Sequence, residues 1–174
     1  MTSTTIAPPI AGVVPQGETQ VEYVFPGVAC NGLGRLIGSA MGAAASTGPA
    51  PFNILPLLVV GGILWPLALL LYFWVKVFGN KFVVTNRSVQ EVPVLGSALV
   101  KRVNYSDVAN VRVATQDGYE FHRVGDVQLL AANGDVLLSM PAIQYPDRLA
   151  RLVLELRDAQ SQAAAALKQI QSRK

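Results

Sequence analysis

The chain has 174 residues, enough for one domain and an appendage. Hydrophobic residues make up 51% and charged residues only 14%, with a mean hydropathy of +0.38, whereas an average soluble domain carries roughly a quarter charged residues, so a purely water-soluble globule is a poor account of the whole. One cysteine, Cys30, and one histidine, His122, leave no internal disulfide, Cys-x-x-Cys pair or zinc ligand set, and the net charge of +3 comes without an aromatic-basic platform; no metal, redox cofactor or nucleic-acid partner is expected.

Residues 1–53 are rich in Pro, Gly, Ala, Ser and Thr and poor in large apolar groups. Alone they bury too little surface to offset the entropy of ordering, so the segment is read as extended unless something outside it holds it, which points to a subunit of a larger assembly. MTSTTIAPPIAGVVPQGETQ lacks the basic and long apolar regions of a cleaved signal. GVAC, ending at Cys30, lacks the preceding core of a lipoprotein signal, and Cys30 reads as a small buried hydrophobe. In GRLIGSAMG, Gly34, Gly38 and Gly42 stand four apart, a flat helical stripe where another backbone can approach. Arg35 argues against a second lipid-exposed crossing. The preferred reading is a short interfacial or re-entrant helix packed on a partner; next is a full second crossing, with both termini in the cytoplasm.

Ile54 to Val75 is an uncharged run of 22 residues, roughly 33 Å as helix against a hydrocarbon core of ~30 Å. A transmembrane helix over 54–78 is therefore predicted; the competing reading, a buried core helix, has too little other sequence to surround it. Pro56 suits the first turn and Pro66 predicts a kink mid-span. Tyr72, Phe73 and Trp74 crowd one end and Phe52 marks the other, while Trp65, at mid-depth, reads as packing. Lys76, Lys81, Arg87, Lys101 and Arg102 follow the span, against Arg35 alone before it. The expected orientation is single-pass, the C-terminal domain cytoplasmic and the N-terminal segment on the far side.

Beyond residue 79 the texture becomes β-branched runs separated by turn chemistry at Asn86-Arg87-Ser88, Leu95-Gly96-Ser97 and Tyr105-Ser106-Asp107, predicting an antiparallel meander within a β domain over 79–146. Pro93 cannot donate to a ladder, so its run is expected at an edge or with a bulge. QDGYEFHRVGD predicts a turn at Asp117-Gly118 and a short alternating piece, with Tyr119 and Phe121 on one face and Glu120 and His122 on the other. Asn133-Gly134 predicts a hairpin with arms Val127 to Ala132 and Asp135 to Met140. Pro146 and Asp147 then open a helix over 147–174, with Leu149, Leu152, Val153, Leu156, Ala163, Leu167 and Ile170 at helical spacing. At about 42 Å it outruns a small sheet. Its first four turns are expected to pack, and SQAAAALKQIQSRK either frays or docks on a partner.

The region Lys81 to Asp158 resembles the bacterial pleckstrin-homology-like membrane domains. The matching pieces are VTNRSV leaving the span, a basic strand leading to YSDVANVRV, then VGDVQLL, the Asn-Gly hairpin, and MPAIQYPDRLARLVLEL entering the last helix, nearly half the chain in order. The resemblance implies an α+β fold, a small antiparallel β-barrel or sheet capped by a C-terminal helix. Family members often carry a two-helix hairpin before the domain, where this chain has only the glycine-rich stretch. One branch resembles assembly factors of photosynthetic reaction-centre complexes.

No catalytic constellation stands out. Ser106, Asp107 and His122 lack a nucleophile elbow, Ser-Asp being ordinary turn chemistry; no phosphate-binding glycine loop appears, and Asp117 with Glu120 reads as a solvated edge. Two binding readings remain. One is a structural or assembly subunit among integral membrane proteins, with Gly34, Gly38 and Gly42 as a helix-packing face and Tyr119, Phe121, Leu167 and Ile170 as candidate partner contacts. The other is a module for anionic lipid headgroups through Lys76, Lys81, Arg87, Lys101 and Arg102, each worth ~1 kcal/mol near an anionic leaflet.

Overall fold

The computed structural model describes residues 17–46, 54–96 and 98–172; Phe52 at the expected membrane edge and Ser97 of the expected second turn lie outside them. Among the described residues, seven strands form two small antiparallel sheets in a mixed α+β structure. The first sheet has the order β1 (Gln20–Val24), β2 (Asn80–Thr85), β3 (Ser88–Pro93) and β4 (Lys101–Asn104); the second has β5 (Asn110–Ala114), β6 (Val124–Leu130) and β7 (Val136–Gln144). The helices are α1 (Gly32–Ser46), α2 (Ile54–Phe78), the four-residue α3 (Tyr119–His122) and α4 (Pro146–Gln171).

Period-two patterning builds the core between the sheets and α4. Phe82 and Val84 of β2, Val89 of β3, Val127 and Leu129 of β6, and Leu138 and Met140 of β7 face inward, as alternate positions of a pleated strand must. Leu149, Ala150 and Val153 close the core from α4. Pro146 occupies the first turn of that helix, where its missing N–H leaves no gap. Gly134, at φ +87°, turns the chain between β6 and β7, a conformation that asparagine-glycine pairs supply readily.

Three expectations are corrected. The described part of the N-terminal segment, residues 17–46, is not simply extended: β1 pairs antiparallel with β2, Tyr23 opposite Val83 and Val24 opposite Phe82, and α1 is a helix, as the glycine spacing led one to expect. The segment cannot order itself, but the free edge of β2 supplies the ladder. The run holding Pro93 is not an edge strand, since β3 lies between β2 and β4. Pro93 is tolerated because pairing with β4 ends at Glu91 opposite Lys101, leaving the proline beyond it, opposite Asn80 alone. The YEFH stretch is helical, which puts Tyr119 inside at 1% exposure and leaves Phe121 outside at 41%. The helix α4 extends to Gln171.

Candidate membrane interface

α2 has 25 residues, about 37 Å of helix. Its stretch Leu58–Phe78 is long and apolar enough to cross a membrane, with mean hydropathy 2.2 and only 6% of its most apolar window buried. Large side chains project on several sides, among them Leu58, Ile63, Trp65, Leu70 and Phe73. Most of the apolar surface of α2 is thus left uncovered by the other described residues. Ile54 is exposed at its start, Pro66 sits inside the continuous helix, and Val75 near its end is buried at the base of the β domain.

Both ends of the α1–α2 pair are fastened to the sheets. Before α1, the chain passes through β1 and then through a single 3₁₀ turn, Val28–Cys30. Gly27 donates its N–H to the Ala142 carbonyl at 2.9 Å, and Ala142 in turn donates to Asp126 Oδ1 at 2.9 Å. Ala142 takes the left-handed φ of 51° to make both contacts, an uncommon conformation for a residue with a Cβ. A side chain on Gly27 would press on that same carbonyl.

Asp126 is the centre of this junction. It is 3% exposed, and besides Ala142 it accepts from Tyr119 Oη at 2.6 Å and from Gln116 Nε2. Gln116 itself accepts from Arg35 of α1. A buried carboxylate is tolerated when its lone pairs are met in this way. Burial, and then the hydrogen bond to Asp126, push the Tyr119 hydroxyl well above its ordinary pKa, so it stays a donor. The lone Asp inside VGDVQLL was the available signal: a charge within an apolar strand predicts a partner network.

The glycine stripe splits. A Cβ on Gly34 would overlap the Val28 carbonyl, and one on Gly38 would overlap the Gly118 carbonyl and the His122 ring, whereas Gly42 faces open space. Thus Gly34 and Gly38 are consumed by this chain's own 3₁₀ turn and α3, not left for another protein. Gly118, at φ +84°, completes the close approach with Arg35. α1 also lies against α2, where Met41 reaches Gly61. Between α1, α2 and α3 runs an apolar groove of about 550 Å³, bordered by Met41, Gly62, Trp65, Phe121 and His122. His122 Nε2 stands 3.3 Å from the Gly34 carbonyl, while Ser106 donates to its neighbour Asp107 at 3.0 Å within a 3₁₀ turn.

The five basic residues do not form one surface. Lys76 Nζ lies 4.2 Å from the centroid of the Phe25 ring, and Lys81 lies 5.4 Å from that of Tyr23, cation–π contacts within the chain. Arg102 pairs with Glu18 at 3.0 Å. Arg87 is exposed in the β2–β3 turn, one strand length from α2, about 20 Å at 3.3 Å per residue. Lys101, beside β3, is exposed near the helix end. Of the candidate partner contacts, Tyr119 is buried and unable to serve, Phe121 borders the groove, and Leu167 and Ile170 are 59% and 61% exposed.

Compared with protein-family models, curated proteins and solved structures, the chain has no match in any of the three.

Proposed function

We propose that this chain is a non-catalytic structural or assembly subunit of an integral membrane protein complex, anchored in a bacterial inner membrane by α2, with a pleckstrin-homology-like domain on the cytoplasmic face. The observation that carries the reading is the bare surface of α2, 6% buried in its most apolar window. A soluble core helix would be covered, and a removable signal would not lie between two strands of one ladder. A four-stranded and a three-stranded antiparallel sheet closed by α4 are in keeping with the domain resemblance.

The β1–β2 ladder supports one departure from the arrangement that charge alone suggests. A bilayer cannot pass between hydrogen-bonded strands, so residues 20–24 and 80–85 share a side, and α1 with α2 form a hairpin anchor whose two ends emerge together. At 15 residues, about 22 Å, α1 is shorter than the ~30 Å hydrocarbon core and enters it only part-way. The subunit role draws on the distal part of α4. Its first turns cover the core, Arg157 reaches the Ala109 carbonyl at 2.7 Å, and beyond them Leu167 and Ile170 project uncovered.

The test is mild-detergent extraction of native membranes, size fractionation and mass spectrometry. The expected result is co-migration with larger membrane proteins at fixed stoichiometry. Replacing Leu167 and Ile170 together by Ser is expected to shift the chain out of that fraction without lowering its melting temperature. Migration of the unaltered chain alone would remove the subunit reading.

A further inference from the structure

The segment VLGSALV, between β3 and β4, carries aliphatic side chains where a solvent-facing turn is ordinarily polar. Its position follows from three hydrogen-bonding relations. β3 runs back toward α2 until Pro93 stands opposite Asn80. One residue further, the Val94 N–H donates to the carbonyl of Gly79, the residue just after α2, at 2.9 Å. Gly96, at φ +113°, helps reverse the chain, and the Val100 N–H returns it to the sheet by donating to the Glu91 carbonyl at 2.9 Å. The connection therefore reaches past the start of β2, beside the last turn of the apolar helix.

Leu95, Leu99 and Val100 are 62%, 53% and 56% exposed there. Phe78, in the adjoining turn of α2, is 62% exposed. Exposed aliphatic side chains gain by leaving water, so this group, beside the end of α2, is suited to an apolar medium. Immediately on the domain side of it stand Lys101, opposite Glu91, and Lys81, opposite Val92. An apolar tip below basic residues matches the vertical order of a leaflet, with acyl chains beneath anionic headgroups.

We infer that the β3–β4 connection is a second membrane contact: Leu95, Leu99 and Val100 insert into the boundary between headgroups and acyl chains of the leaflet that α2 leaves. This rests on the reading that α2 enters a bilayer. It gives the domain two points of attachment beside one another, α2 and the loop, and so fixes its tilt over the membrane. Lys81 and Lys101 flank the inserted tip and do not by themselves hold the domain.

The experiment uses the full chain with Cys30→Ser, reconstituted in vesicles of phosphatidylethanolamine and phosphatidylglycerol. Single cysteines replace Leu95, Leu99, Ile63 of α2, or Asn133 of the β6–β7 turn, and each carries an environment-sensitive fluorophore. Lipids spin-labelled near the top of the acyl chain act as quenchers. The expected result is blue-shifted emission and strong quenching at positions 95 and 99, with neither at 133. Quenching at 63 by deep spin labels, with none at 95 or 99 by shallow ones, overturns the loop contact and leaves the anchor standing. Blue-shifted but unquenched probes at 95 and 99 mean that protein covers the tip, and also overturn it. Absence of quenching at 63 as well, at every label depth, removes the anchor reading and this inference with it.

Discussion

Glu18, two residues ahead of β1, fastens the first strand through its side chain. Its Oε1 accepts from Ser88 at 2.5 Å, Thr85 at 2.7 Å and Gln90 at 3.0 Å, while Oε2 meets Arg102. Burial alone would raise its pKa, but the hydrogen bonds from Ser88 and Thr85, the Arg102 charge and the Gln90 amide together outweigh burial and hold it below the ordinary value of 4.5. A lowered folded pKa means that ionised Glu18 contributes its full stability above about pH 4.5 and loses it as pH falls through the lower folded value. Glu18→Gln is therefore expected to lower stability near neutral pH by about 1–2 kcal/mol, and to flatten the decline of melting temperature on the acid side. Equal acid slopes for the two proteins would show that the carboxylate is idle. Glu18 did not stand out as a node in the sequence, because it gains its meaning from partners that are distant along the chain, whereas Asp126 was marked only by its charge within an apolar strand. Ser88 was legible as part of the turn Asn86-Arg87-Ser88, but neither it nor Thr85 as a donor to a residue 67 or more positions earlier.

At the scale of elements, α1 and α3 show where periodicity misleads. Four-residue glycine spacing identified a close-approach face correctly in kind, but the neighbour at Gly38 is α3 of the same chain. That helix was itself hidden, since a four-residue stretch fits an alternating and a helical pattern equally well. Only the observed burial of Tyr119 with exposure of Phe121 separates them. The glycines consequently differ in what they tolerate. Gly38→Ala drives a methyl group against the Gly118 carbonyl and is expected to cost about 1–3 kcal/mol. Gly42→Ala meets nothing and gains helix propensity, up to ~1 kcal/mol. Thermal unfolding of both variants in the same detergent checks the contrast, and equal melting temperatures would mean that α1 does not rest on α3. The longer elements were easier to read: α2 from its uncharged length, α4 from Pro146 and its recurring leucines, and the β6–β7 turn from Asn133-Gly134. β1 was obscured because the composition of residues 1–53 outweighed five residues of strand.

For the whole molecule, the arrangement of strands around the helical pair determines the topology to be tested. With Cys30→Ser as background, cysteines at Gln20 and Asn133 are expected to react with a membrane-impermeant maleimide from the same side of sealed vesicles. Reaction from opposite sides would mean that β1 and β2 are separated in the membrane. Basic residues bear on the side occupied by the chain after α2 and say nothing of a strand that lies before α1, so the charge count left that strand on the far side, and only the alternative of a second crossing placed both termini together. The same ladder has a consequence for biogenesis. Val24 and Phe82 are neighbours in the sheet, although both helices lie between them in sequence. A ribosome releases β1 long before its partner exists, and closing so long a loop is entropically costly unless something draws its ends together. Under the proposed anchor, insertion of the helical hairpin would do that, delivering β2 to the surface at which β1 is waiting. Protection of residues 17–24 from protease during synthesis would then time the moment when the hairpin has entered and turned back, making the first strand a built-in reporter of completed insertion.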